Sequence, residues 1–137
     1  MKYFEDQVYY SGRVLRVIWA RRANGTFPAR GFFDGLSVPD KARIDRILVR
    51  LADEGRIFNK QHYRKIHCEE DLWEVKGGAA RMVCFTLFPS HLAIVCGFKK
   101  RGGGKSEQLP KGQIDKAIQI KKEFQEIFER MKCGELP

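Results

Sequence analysis

No apolar run in this sequence is long enough to cross a bilayer: the longest, Met82 to Phe88 and Leu92 to Cys96, fall far short of the roughly 20 residues a spanning helix needs. The first residues, Met1-Lys2-Tyr3-Phe4-Glu5-Asp6, carry acids and no apolar segment, so no secretory leader is expected and the protein is expected in the cytoplasm. Cysteine is sparse. The four present, Cys68, Cys84, Cys96 and Cys133, form no C-x-x-C pair and have no histidine at finger spacing, which argues against a metal site. Cys84 and Cys96 lie inside apolar, strand-like runs and read as small buried hydrophobes in a reducing compartment. No internal repeat is visible. Gly102-Gly103-Gly104-Lys105-Ser106 has part of a phosphate loop but lacks its leading glycine and its strand-to-helix setting, so no nucleotide cofactor is implied.

What the chain has in excess is positive charge. Lys and Arg number 26 against 17 Asp and Glu, a net charge of +9. Such a surface gathers polyanions by long-range attraction and by releasing their condensed counterions. With 43% hydrophobic and 31% charged residues over 137 positions, the composition is that of one globular domain, residues 1–137, with 1–12 read as an N-terminal tail.

Arg13 to Ala20 is rich in β-branched and aromatic residues and predicts a first strand. Pro28 opens a short helix carrying Phe32, Phe33 and Leu36. Ser37 caps a second, in which Ile44, Ile47, Leu48 and Leu51 recur at helical spacing before the stop at Gly55. Arg56 to Asp71 is polar and aperiodic and reads as an ordered loop. Three strands follow, Leu72 to Lys76, Ala79 to Phe88 and His91 to Phe98, punctuated by Gly77-Gly78 and Pro89-Ser90. The stretch Arg101 to Lys105 is flexible by composition, and a last helix runs from about Gln113 to Met131. The order β-α-α-β-β-β-α predicts an α+β domain: a small antiparallel twisted sheet with a helical hairpin and a C-terminal helix. Two-residue turns would set Glu74 opposite Arg81 and Arg81 opposite Phe98.

That meander would gather Lys60, Arg64, Lys65, Arg81, Lys99, Lys100, Arg101 and Lys105 near one edge, a candidate phosphate-binding surface. Arg81 is the most informative of them, because an arginine opening an apolar strand must find an anion or water; a cross-strand pair with Glu74 is the structural alternative. His62 and His67 adjoin the basic loop, where either a solvated or an acid-base role is open. His91 belongs to the turn at the other end of the sheet.

Three segments, Leu72-Trp73-Glu74-Val75-Lys76, Ala80-Arg81-Met82-Val83 and Gly97-Phe98-Lys99-Lys100, resemble the RelE/ParE superfamily of toxins, in particular its phage-related HigB-like branch. Lys105, Pro110, Ile114 and Ala117 look like that branch's continuation into its last helix. The resemblance implies a RelE-like fold and the toxin of a type II toxin-antitoxin pair: a metal-independent mRNA endonuclease acting on the ribosome and silenced by a cognate antitoxin of helix-turn-helix type. It assigns Arg81 and Lys99 to charge stabilisation, and Lys65 and His67 to positioning or deprotonating the RNA. Lys60, Arg64, Lys100, Arg101 and Lys105 would hold the backbone. Cys96 stands where many relatives carry histidine, and Gly102-Gly103-Gly104 is an insertion. A ParE-like topoisomerase inhibitor and a non-catalytic RNA- or ribosome-binding phage protein remain the alternatives.

Overall fold

A computed structural model describes residues 6–68, 70–87, 90–100 and 111–132. Its elements follow the chain as β1 (Val8–Ser11), β2 (Arg16–Trp19), α1 (Pro28–Asp34), α2 (Val38–Glu54), β3 (Tyr63–Lys65), β4 (Trp73–Gly77), β5 (Ala80–Leu87), β6 (His91–Lys99) and α3 (Lys111–Lys132). The six strands form one twisted open sheet in the order β1-β2-β6-β5-β4-β3. The fold is α+β, as expected. Among the described residues no helix is long and apolar enough to cross a membrane.

Each predicted helix is present, and the ends of α2 have local causes. Ser37 accepts a hydrogen bond from the backbone N–H of Asp40, and Gly55 closes α2 in the left-handed conformation with its N–H on the Leu51 carbonyl. Strand alternation then divides the core in two. Val17, Trp19, Val75, Met82, Cys84 and Ile94 pack against α1 and α2. On the reverse face Ile18, Val83, Phe85, Ala93 and Cys96 pack against Ala117, Ile120, Phe124 and Phe128 of α3. The sheet is therefore sandwiched between helices.

Three features depart from the sequence reading. The expected tail supplies β1, pinned by its tyrosines: Tyr9 packs edge-on against Trp19 at 5.2 Å between centroids and donates to Asp45, while Tyr10 donates to Asp53 at 3.1 Å. The expected loop contains β3, whose alternation was hidden by charge: Tyr63 points into the core and stacks on Trp73 at 4.7 Å, and Arg64 takes the other face. The sheet is mixed rather than antiparallel, because β2 pairs with β6 in parallel while every other pairing is antiparallel. The long connection from β2 through both helices and the meander is what permits that parallel return.

Registers decide where the charged side chains meet. The β4–β5 turn is centred on Gly78 and Ala79, so Lys76 faces Arg81 and Glu74 faces Val83; the expected Glu74–Arg81 rung is displaced. The cause lies in the two glycines. Gly77 ends the strand at a position with no room for a Cβ, which would stand 2.7 Å from the Ile44 side chain of α2, and of the two it is Gly78, in the turn, that adopts a positive φ of 63°. The rung Arg81–Phe98 is as expected, though reached differently: Leu87 pairs with His91, and an irregularity between Val83 and Cys84 restores the register.

Candidate functional site

The displaced register builds a compact charged cluster on the sheet face that α3 covers farther along. Arg64 of β3 lies beside Glu74 of β4, and Lys76 beside Arg81 of β5. Period-two alternation puts all four side chains on that face. Glu74 is fully buried, and one of its oxygens, Oε1, receives Arg64 Nη2 at 2.7 Å and Nε at 3.1 Å, with Lys76 Nζ at 3.9 Å. Its second oxygen, Oε2, is buried with no hydrogen-bond donor among the described residues. Three cations therefore surround one carboxylate.

Arg81 is half-buried, and its Nη1 donates to the carbonyls of Gly78 at 2.5 Å and Ala80 at 3.1 Å. Burial lowers its pKa most, the nearby Glu74 raises it and Arg64 lowers it again, yet a guanidinium stays charged at any physiological pH. Anchoring through one nitrogen fixes the plane of the fork. Among the described residues Nε and Nη2 make no hydrogen bond, which leaves the two-point edge that suits a phosphate.

Beyond Arg64 the surface opens into a cleft of about 860 Å³, whose lining includes Phe58, Lys60, Arg64, Lys65, His67 and Trp73. Tyr63 and Ile66 form its buried floor, and Lys111 and Ile114 at the start of α3 form its far wall. Lys65 is loosely paired with Asp71 at 3.9 Å, both well exposed, and His67 is exposed. Four of the expected residues, Lys60, Arg64, Lys65 and His67, are thus together, with Arg81 reached from Arg64 across β4.

Other expected residues fall elsewhere. Lys99 pairs with Ala80, whose side chain joins the α1–α2 core, so the pleat sets Lys99 on the face opposite Arg81. Lys100 lies past the strand end with its N–H on the Ala79 carbonyl. Arg101 and Lys105, with the glycine insertion, lie outside the described residues. His62 lines a separate groove of about 370 Å³ under Arg43, Arg46 and Arg50 of α2. His91 is buried against Phe128 at 6.2 Å, its pKa lowered by burial and then by Arg16. Cys96 is buried under α3, and burial pushes its thiol up to about 11, so it stays protonated at neutral pH and cannot replace a histidine in proton transfer. Among the described residues no three His, Cys, Asp or Glu side chains cluster as metal ligands.

Sequence reasoning did not single out Lys76, Phe58 or the α2 arginine row. The i, i+3, i+7 spacing of Arg43, Arg46 and Arg50 was a readable signal. For Lys76 the signal was lost with the register, and for Phe58 nothing in the sequence set it apart from a core aromatic.

Fold and site together define a small basic α+β protein with a cationic strand face and an adjoining open cleft. The sequence matches the family described as phage-derived protein Gp49-like (DUF891) over residues 31–122, two-thirds of the chain. The chain belongs to that family, which is part of the RelE/HigB-like toxin superfamily. No curated protein matches it.

Proposed function

We propose that this chain is the toxin of a type II toxin-antitoxin pair, of the HigB-like kind, and that it cuts messenger RNA in the cytoplasm, on the ribosome, without a metal ion. The observation that carries the reading is the cluster of Arg64, Lys76 and Arg81 around one buried carboxylate, with cationic and aromatic side chains in the cleft beside it. A pure protein inhibitor would have no need of cations converging on a concave face. The cognate antitoxin, of helix-turn-helix type, is the expected protein partner.

The chemistry is transesterification. The ribose 2′-oxygen attacks the neighbouring phosphorus, the bond from phosphorus to the 5′-oxygen breaks, and a 2′,3′-cyclic phosphate and a 5′-hydroxyl result. One proton leaves the 2′-hydroxyl and one reaches the 5′-oxygen. Arg81, with Lys76 and Arg64 behind it, neutralises the charge that grows on the phosphorane, where fixed donors act most strongly. Lys65 and His67, on the cleft rim, are the proton-transfer candidates.

Induced expression with transcript 5′-end mapping tests the reading. Cuts within translated regions that survive chelation are expected, and intact transcripts alongside a supercoiling defect would replace it with topoisomerase inhibition.

A further inference from the structure

Phe58 is an anomaly that packing does not explain. It is 81% exposed, in the stretch between α2 and β3, and it stands on the wall of the cationic cleft rather than in either core. The Arg56 guanidinium lies 5.1 Å from the centre of its ring, a contact that orients the ring while leaving most of it open to solvent. Within the same cleft Trp73 is only partly buried. Its indole plane is fixed from two sides, by stacking on Tyr63 and by an N–H donated to Asp71 at 3.1 Å. Two oriented aromatic surfaces therefore share one cavity with Lys60, Arg64 and Lys65.

Aromatic faces interleaved with cations are the means by which proteins hold unpaired nucleic acid: the cations follow the phosphates and the rings stack on the bases. A duplex hides its bases and offers nothing to such rings, and a bare polyanion uses only the lysines and arginine. We infer that the cleft is a nucleobase pocket for single-stranded RNA, with Phe58 as its stacking platform. It rests on the RNA reading above and deepens it, because it names the strand state and the part of the nucleotide that the cleft recognises. The volume of about 860 Å³ suits one nucleotide with room for its neighbour's phosphate.

The test compares a short single-stranded RNA with an abasic ribose-phosphate chain of the same length and charge, both titrated across a salt series. Wild-type protein is expected to bind the RNA about tenfold more tightly than the abasic chain at every salt concentration. Phe58→Ala should bring the RNA down to the abasic level with an unchanged salt slope, and Phe58→Trp should keep the preference. Because Phe58 is exposed, neither change should move the melting temperature, which makes loss of fold a separable result. Phe58→Ala with the full base preference, or a wild type that binds both chains equally, would overturn the pocket while leaving the polyanion reading intact. A wild type that binds neither chain would sink the RNA reading itself, and the pocket with it.

Discussion

The two ends of the β5–β6 hairpin treat a titratable side chain in opposite ways. At the Arg81 end four charged groups from three strands share one face, and helix α3 leaves Arg81 half open. At the other end His91 is buried beneath Phe128 of α3, and burial favours its neutral form. Desolvating charge is costly unless it is paired, so burial at the closed end favours the uncharged histidine, whereas at the open end the buried Glu74 side chain is surrounded by cations. The proposed function puts chemistry at the open end and leaves packing to the closed one, and each assignment can be broken.

The largest expected effect is on the buried carboxylate. Glu74→Ala removes the anion that Arg64 and Lys76 share and leaves cations facing one another on a largely desolvated surface. A loss of about 3 kcal/mol in unfolding free energy is expected by urea titration, with Glu74→Gln losing less because the amide oxygen still accepts from Arg64. A Glu74→Ala protein as stable as wild type would mean that this end is not organised around the carboxylate.

Next comes Arg81 itself. Arg81→Ala should slow single-turnover cleavage by about 100-fold or more, with RNA affinity far less affected because Lys60, Arg64 and Lys65 still hold the backbone. Its stability should fall by no more than about 1 kcal/mol, since its hydrogen-bond partners are two neutral backbone carbonyls, of the exposed turn residue Gly78 and of Ala80, and its side chain is only half-buried. Cleavage at the wild-type rate would remove Arg81 from the site. Lys99→Ala is the informative control: on the opposite sheet face, it should leave the rate of the chemical step unchanged.

A smaller effect should follow from the rim. RNA affinity should fall with salt, with a log-log slope of about −0.7 per phosphate contacted, and Lys60→Ala or Lys65→Ala should each reduce that slope by about 0.7. Affinity flat across the salt series would contradict the cationic assignment of this end.

Much of this arrangement was legible beforehand, for identifiable reasons. The α2 stripe Ile44, Ile47, Leu48 and Leu51 is buried throughout, because helical spacing and burial are nearly the same information in a helix that covers a sheet. Arg81 opposite Phe98 survived because a longer turn and a strand irregularity compensated each other. What could not be read was set by contacts remote in sequence. In the β4–β5 turn the chain turns at Gly78 and Ala79 rather than at Gly77-Gly78, and Gly77 stays in the strand against Ile44, a contact 33 residues away that the local turn signal does not carry. Strand β3 was concealed because its outward residues are cations that also read as loop, and β1 because tyrosines tied to Asp45 and Asp53 look like any polar tail. The Lys99 placement failed for a simpler reason: residues 98 and 99 are consecutive in a strand, so only one of them can share a face with Arg81.

The smallest expected effect tests the closed end. The pKa of His91 is lowered below its usual 6.5 in the folded chain, chiefly by burial and then by Arg16. Between pH 6.5 and the folded value the unfolded chain binds the proton and the folded chain does not, so stability rises with pH across that window. The contribution is present above pH 6.5 and is lost as the pH falls through the folded value. Melting temperature should therefore decline gently from pH 6.5 towards about 5, above the range where carboxylates begin to titrate. His91→Phe should flatten this limb, since an aromatic ring of similar shape keeps the contact with Phe128 and carries no proton. Cleavage by His91→Phe should proceed at the wild-type rate at neutral pH. If His91→Phe instead abolished cleavage in a folded protein while Arg81→Ala did not, chemistry and packing would have been assigned to the wrong ends of the hairpin.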